Sequence, residues 1–413
     1  MKYIADLHLH SKYSRATSRD MDLEHISQSA KIKGIDILGT GDFTHPEWLK
    51  NLKAKLRPED GLFKLKKTNS RFVLTSEISS IYSKKGRTRK VHILLLAPSF
   101  EIVEKINNSL GKISNLSADG RPILGIDAEE LAKFVLNISK DCLIIPAHVL
   151  TPWFGVFGSK SGFDSIQECF GNYSKYIYSL ETGLSANPPM LWRMADGRRR
   201  TLISNSDAHS PKKLGREATV FEGDKLSYDN IAGAIKGDKG KLKLLSTIEF
   251  YPQEGKYYYD GHRNCDISLS PSESDRYNNV CPVCQKLLTI GVLNRAEQLS
   301  DKPEGFKPPK PVPFKSLIPL QELIADVLGV GPNTKKVKKE YDNLIEKIGP
   351  EFKILLEVPS FDLKAASSQE IAKAIVDARE GRINIEPGFD GVFGKISIHP
   401  KERKTRLRQK ILF

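Results

Sequence analysis

Through roughly the first 230 residues, short apolar runs alternate with amphipathic stretches of helical length, and run after run ends in a histidine, aspartate or glutamate. The first, Tyr3 to Ser11, ends in His8 and His10; on an extended strand this i, i+2 spacing points both imidazoles to one face. Met21 to Lys33 follows as a predicted helix with Leu23, Ile26 and Ala30 on one face and Gly34 as its cap. Ile35 to Thr40 then opens into Gly41-Asp42-Phe43-Thr44-His45. Further strand-like runs span Phe72 to Glu77, Val91 to Ala97, Leu143 to His148, Tyr176 to Glu181, and Leu202 to Asp207 with Ala208-His209 after it; Ala128 to Val135 reads as a helix between two of them. This alternation predicts a largely parallel sheet or barrel, a fold that places its chemistry at the C-terminal ends of its strands.

The strand ends collect His8, His10, Asp42, Glu77, His148, Asp207 and His209, more ligands than one metal requires. A mixed histidine and carboxylate set suits zinc, manganese or iron, and Glu77 could bridge two ions. His92 begins its apolar run. A hairpin from Thr75 to Ala97, turned through Lys84-Lys85-Gly86-Arg87, would bring it back to the same rim. Glu181 reads as a carboxylate that orients a ligand or a water. His25 and His399 read as packing or surface residues, and Cys142 and Cys169 as core filler.

The loops around this rim are basic and aromatic. Lys84, Lys85, Arg87, Arg89 and Lys90 crowd the Glu77 hairpin, and Arg198, Arg199 and Arg200 precede the strand leading to Asp207. Between His148 and Glu181, Trp153, Phe154, Phe157 and Phe163 are threaded among glycines with Lys160 beside them. The loop offers a wedge or stacking platform for a base, or tucks its aromatics under the rim. The 413 residues carry 64 Lys and Arg against 50 Asp and Glu, a formal +14 that favours a polyanionic partner. The absence of any run of roughly 18 apolar residues, and of a signal-peptide pattern, predicts a soluble cytoplasmic protein with no membrane partner.

Past residue 230 the alternation breaks. His262-Arg263-Asn264-Cys265 and Cys281-Pro282-Val283-Cys284 supply the four ligands of a closed tetrahedral zinc site, whose lack of an open position makes the ion structural. Arg263, Lys286 and Arg295 give this module, 231–304, a basic side suited to phosphates. A Pro- and Lys-rich linker, 305–315, leads to a third region, 305–413. There Leu320 to Leu328 and Lys335 to Ile348 read as helices joined by Gly329-Val330-Gly331-Pro332-Asn333-Thr334. The hairpin 319–349 resembles a helix-hairpin-helix, in which turn N–H groups meet a DNA phosphate, and Gly329, Gly331 and Lys335 are its candidate contacts. Gln409 and Leu412 resemble the opening of a sliding-clamp-binding motif; a basic frayed tail is the other reading.

Asp6-Leu7-His8-Leu9-His10-Ser11, Thr40-Gly41-Asp42, Glu77, His92, His148 and Ser206-Asp207-Ala208-His209 together resemble the ordered motifs of the PHP (polymerase and histidinol phosphatase) superfamily. Many members have Asp and His adjacent in the second motif, whereas Phe43-Thr44 separates Asp42 from His45 here. Asp42 is therefore the expected ligand, with His45 either swinging in or capping the helix after Pro46. The resemblance implies a distorted seven-stranded β/α barrel over 1–230 that hydrolyses phosphoesters with two or three divalent ions, zinc, magnesium or manganese. With the zinc module and hairpin behind it, the whole order resembles DNA-repair endonucleases of archaea and some bacteria. That implies cleavage of the phosphodiester 5′ to a deaminated base (uracil, hypoxanthine, xanthine) or an abasic site in damaged DNA. A phosphatase or exonuclease of the same superfamily, and a non-catalytic damage-binding protein, are the alternatives.

Overall fold

The computed structural model describes residues 1–398; His399, Gln409 and Leu412 lie outside them. Seven strands close a distorted barrel: β1 Lys2–Asp6, β2 Ile37–Gly39, β3 Arg71–Lys84, β4 Arg87–Ala97, β5 Leu143–Pro146, β6 Ser179–Glu181 and β7 Thr201–Ile203. β1, β2 and β3 pair in parallel, as do β6 and β7, whereas β4 runs antiparallel to both β3 and β5. Val149 N donates to Glu181 O at 3.0 Å to join β5 to β6, and a parallel bridge between Leu9 and Ala208 closes the ring onto β1. The reversed strand follows from the turn. Lys85 and Gly86 both adopt positive φ, 53° and 72°, the geometry of a two-residue turn matched to strand twist.

Apolar side chains from six of these strands, Ala5, Leu7, Ile37, Val73, Leu94, Ile145 and Ile203 among them, form one buried cluster within the barrel. Tyr228, Ile231 and Ile235 of the helix Tyr228–Lys236 extend it, and the Tyr228 hydroxyl donates to Leu96 O and Asp141 O. Because Leu96 lies near the far end of the reversed β4, this helix stands at the end of the barrel opposite the ligand-bearing rim. Outside, α1 Leu23–Lys33, α2 Pro46–Lys55, α3 Phe100–Leu110, α4 Ala128–Ile138 and α5 Tyr228–Lys236 run between strands. Asp22 caps α1 by accepting from His25 N at 3.0 Å, and Gly34 ends the helix in the left-handed conformation that glycine adopts without strain. Cys142 and Cys169 are buried, as expected of filler.

The sheet does not stop at residue 230, where the sequence placed the end of the barrel. β8 Ala218–Gly223 lies antiparallel to β1, β9 Leu242–Glu249 antiparallel to β8, and β10 Phe314–Ser316 parallel to β9. The Pro- and Lys-rich segment is thus anchored at its far end by backbone pairing, which no side-chain pattern announces. Beyond it come α6 Leu320–Leu328, α7 Lys335–Ile348, α8 Glu351–Leu356, α9 Ser360–Ala366 and α10 Gln369–Arg379, then a hairpin of Asn384–Glu386 with Lys395–Ser397. No described helix is long and apolar enough to cross a membrane.

The helical domain is pinned to the barrel at one buried carboxylate. Glu351 accepts from Lys33 Nζ of α1 at 3.0 Å, the Tyr341 hydroxyl at 2.7 Å and Leu320 N at 3.1 Å. Burial pushes this carboxyl up, but Lys33 and these hydrogen bonds outweigh it and hold the group below its ordinary value of 4.5. A depressed folded value contributes stability that is present above about pH 4.5 and is lost as pH falls through the folded value. Glu351→Ala leaves Lys33 buried without its partner and is expected to cost about 3–5 kcal/mol at pH 7. Urea denaturation of both proteins at pH 7 and pH 3 checks this, with the difference shrinking at the lower pH.

Candidate metal centres

Local structure delivers the site residues to one end of the barrel. Asp42, His148 and Asp207 each lie just past a strand end with positive φ, 47°, 32° and 48°, a region that non-glycine residues occupy only when their surroundings hold them there. Buried hydrogen bonds do the holding. Asp6 accepts from Ser206 N at 3.0 Å, Ser206 Oγ at 2.6 Å and Gly215 N at 2.9 Å, fixing the loop that carries Asp207. Trp48 donates to Gly41 O at 2.9 Å beside Asp42, and Glu181 accepts from His148 N at 2.9 Å.

Two donor groups meet at Glu77. His8, His10, Glu77 and Asp207 present ligand atoms within 4.8 Å of one another, and Glu77, His92 and His148 form a second such group. In the first, His10 Nε2 lies 3.2 Å from Glu77 Oε2 and 3.1 Å from Asp207 Oδ1, with His8 Nε2 3.7 Å from both oxygens. In the second, Glu77 Oε1 is 2.7 Å from His92 Nδ1 and 3.0 Å from His148 Nε2, and the two nitrogens are 3.1 Å apart. Metal–ligand bonds of about 2.1 Å put ligand atoms near these separations. His8 Nε2, His10 Nε2 and Asp207 Oδ1 are buried with no hydrogen-bond partner, the state of a donor set built for a cation. Divalent ions therefore fit, with Glu77 shared between them.

The ring nitrogens that face away are tied down. His8 Nδ1 donates to Glu181 at 3.0 Å, and His10 Nδ1 donates to Asp42 at 3.0 Å, so each ring turns its Nε2 toward Glu77. Burial lowers the His8 and His10 pKa values, but Glu181 and Glu77 for the first and Asp42 and Asp207 for the second outweigh it and raise both well above the ordinary value. Burial pushes Glu77 up, yet His92 and His8 hold it well below the carboxylate range. Burial dominates at His92, which falls to about 4 despite Glu77.

Two expected ligands stand outside both groups. Asp42 lies behind His10, one oxygen taking its Nδ1–H and the other accepting from Ser11 N and Oγ at 2.6 Å and Ser14 Oγ at 2.9 Å, an arrangement that orients the His10 ring. His209 sits at the rim with its ring 4.5 Å from that of His10, and its Nδ1 bonds Asp207 O at 2.8 Å. His45 stacks on Tyr13 at 4.4 Å and starts α2, so it packs and does not swing in. Glu181 stands behind His8, accepting from its Nδ1 at 3.0 Å. Sequence reasoning missed Arg121, whose Nη1 lies 3.0 Å from Glu77 Oε2. The turn Asp119-Gly120-Arg121 that carries it comes close to the site, a Cβ on Gly120 falling 2.4 Å from Asp42 Oδ2.

The basic and aromatic candidates divide. Trp153 is exposed and packs edge-on against Tyr257, and Phe154 lies 4.3 Å from the His92 ring. Phe157, by contrast, is fully buried in the core, which rules out a wedge, and Phe163 is buried beneath Arg89. Lys84 is engaged with Asp127 at 3.0 Å, whereas Lys85, Arg87 and Lys160 are exposed. Arg199 precedes β7 and lies at the opposite end of the barrel from Asp207, because the strand between them spans the barrel.

A separate donor group lies outside the barrel. His262, Cys265, Cys281 and Cys284 bring their ligand atoms within 4.8 Å, on a hairpin of Asp260–His262 with Ile267–Leu269 and a knuckle in which Gln285 N donates to Cys281 O. These donors suit zinc. Arg263 and Lys286 are exposed, but Arg295 is spent on the aromatic loop, donating to Phe157 O, Phe163 O and Asp164. The turn from Gly329 to Asn333 is exposed, with Lys335 beside it. Lys212 reaches Asn333 at 3.3 Å, which sets the helical hairpin next to the loop after His209.

Such a barrel, with a shared-carboxylate donor set fit for two divalent ions at one rim, is the framework of a metal-dependent nuclease. Residues 319–382 match the family model of the MJ0043 C-terminal domain. The Methanocaldococcus jannaschii protein MJ0043 is 32% identical over 68% of this chain, which spans only 36% of that protein's length; Bacillus subtilis YqxK is 29% identical over 96% of this chain and 99% of its own. The lesion-specific endonuclease PfuEndoQ of Pyrococcus furiosus superposes with a TM-score of 0.86 at 33% identity over 98% of both chains. An endonuclease Q bound to a 27-mer duplex with an abasic lesion at its active site does so with 0.85 at 33% over 97% of both. This chain belongs to the endonuclease Q family.

Glu181→Gln and Asp42→Asn keep the shape of the orienting residues and remove their charge. Each is expected to lower affinity for Mn2+ at the shared-carboxylate centre about 10- to 100-fold in calorimetric titrations, with thermal stability little changed. Cys281→Ala should lose one zinc per chain in elemental analysis and expose the 260–290 segment to protease, because the ion's binding energy is that segment's folding energy.

Proposed function

We propose that this chain is a metal-dependent endonuclease that cuts DNA 5′ to a deaminated base or an abasic site. The observation that carries the reading is Glu77, one carboxylate shared by His8, His10 and Asp207 on one side and His92 and His148 on the other. Two divalent ions held there, magnesium, manganese or zinc, would supply Lewis-acid activation of the phosphodiester and of the attacking water. Asp42 and Glu181 hold His10 and His8 in the tautomer that presents Nε2. Arg121, kept beside the centre by Glu77, would supply positive charge to a scissile phosphate held there.

The rest of the chain divides the work of holding DNA. The barrel carries chemistry, the zinc module braces the aromatic loop through Arg295, and the C-terminal hairpin offers the N–H group of Gly331 with Lys335 to a backbone phosphate, the Gly329 N–H being spent on Ala325 O and Asp326 O at the end of α6. Lys85, Arg87, Lys160 and Arg263 are further phosphate contacts. Trp153 takes the wedge role, since it is the exposed aromatic of the loop whose next residue, Phe154, packs on the His92 ring. Deaminated bases and abasic sites pair weakly or not at all, so drawing one toward the rim costs less than extruding a normal base.

Duplexes with a single uracil or abasic site, incubated with Mg2+ or Mn2+ and then with EDTA, test the activity. Cleavage should be strand-specific, 5′ to the lesion, and abolished by EDTA. Asp207→Asn should keep lesion binding while cutting falls at least a hundredfold. Release of phosphate from nucleotides without duplex cutting would instead favour a phosphatase, and binding without any hydrolysis a damage-binding protein. Trp153→Ala should slow cutting of a uracil duplex more than of the same strand unpaired, measured as single-turnover rates; equal losses would remove the wedge.

A further inference from the structure

At the end of the barrel opposite the metal-binding rim, a cavity of about 530 Å3 opens between the segments that lead into β6 and β7, the end of α5 and the proline-rich stretch 308–312. Lys175, Arg198, Arg199, Arg200, Lys236 and Lys310 line it. Two of these are already neutralised: Arg198 grips Asp301 through two bonds of 2.7 and 2.5 Å, and Arg200 pairs with Asp196. Lys175, Arg199, Lys236 and Lys310 have no carboxylate partner among the described residues. They come from four separate stretches of chain, so their meeting is a product of the fold and not of one basic run. Like charges gathered in a concavity repel one another, and their field is focused there unless an anion enters. Lys236 also covers the partly negative C-terminal end of α5, which would otherwise disfavour an anion.

The other walls are apolar and aromatic. Tyr178, with Lys236 Nζ 5.5 Å from its ring centroid, faces the space with Trp192, Pro188, Pro308 and Pro311. The volume falls within the usual range of small-molecule sites, about 300–1,000 Å3, and is far too small for a duplex. We propose that this cavity binds a nucleoside polyphosphate, its phosphates on the four unpaired cations and its base against the Tyr178 and proline wall. The site lies apart from the metal centre and uses none of its residues, so it stands whether or not the chain cuts DNA.

Titration of the full-length, metal-loaded chain with a fluorescent ADP analogue tests the assignment, with unlabelled ADP, pyrophosphate and adenosine as competitors. ADP should compete at least tenfold better than pyrophosphate or adenosine alone. Arg199→Glu and Lys236→Glu should each weaken ADP binding tenfold or more with an unchanged circular dichroism spectrum. If either misfolds, Arg199→Gln combined with Lys310→Gln, both exposed, serves in its place. Asp207→Asn should leave ADP binding as it is. Absence of saturable binding, binding that survives the charge reversals, or loss of binding in Asp207→Asn would overturn the proposal. Pyrophosphate competing as well as ADP would overturn the nucleoside part, and loss of duplex affinity in the charge reversals without loss of ADP binding would make the cavity part of a DNA track.

Discussion

Everything at the rim depends on placing one carboxylate, that of Glu77, at a point where four histidines and an arginine converge in a buried space. An isolated carboxylate there would be neutralised by protonation, because removing it from water is costly. Here the surrounding cations hold it ionised, and its two oxygens are divided between the two donor groups. The reversed β4 makes this possible. Pairing Ser79 with His92 across the hairpin carries His92 back beside Glu77, and the antiparallel contact of β4 with β5 then brings His148 to the same oxygen.

A second layer keeps that arrangement rigid. Asp6, Asp42 and Glu181 are buried carboxylates outside both donor groups; each accepts several hydrogen bonds and fixes a loop or a ring. Asp6, pushed up to about 6 by burial in spite of its bonds to Ser206, shows what such positions cost. The strained backbone at Asp42, His148 and Asp207 is sustained by these same acceptors, so rim geometry and loop conformation are one mechanical unit.

The later modules act on the rim from outside. Arg295 of the zinc module closes the aromatic loop by bonding two of its carbonyls, and Trp153 leans on Tyr257. From the other side, Glu351 joins the helical domain to α1, and Lys213 reaches Glu322 from the loop after His209. Two surfaces built from sequence-distant modules thereby flank one cluster, which is what a long, charged substrate would need.

Local rules were enough for the strand-end histidines, the reversed hairpin, the capping of α1 and the four-ligand knuckle site, since each depends on residues near one another in sequence and on periodicity or turn chemistry. The helices Leu320–Leu328 and Lys335–Ile348 were legible to the residue for the same reason. What the sequence by itself could not rank was distance between side chains that meet only in the fold. Asp42, read as a ligand, lies behind His10 beside Ser11 and Ser14, and Phe157 looks as exposed as Trp153 until the core closes over it. Arg121 and the return of Phe314–Ser316 to the sheet were invisible because an arginine in a turn and a three-residue edge strand carry no pattern of their own. Sequence determined which chemistry the chain could hold; tertiary structure decided which atoms share it, because burial and separation are properties of packing, not of order along the chain.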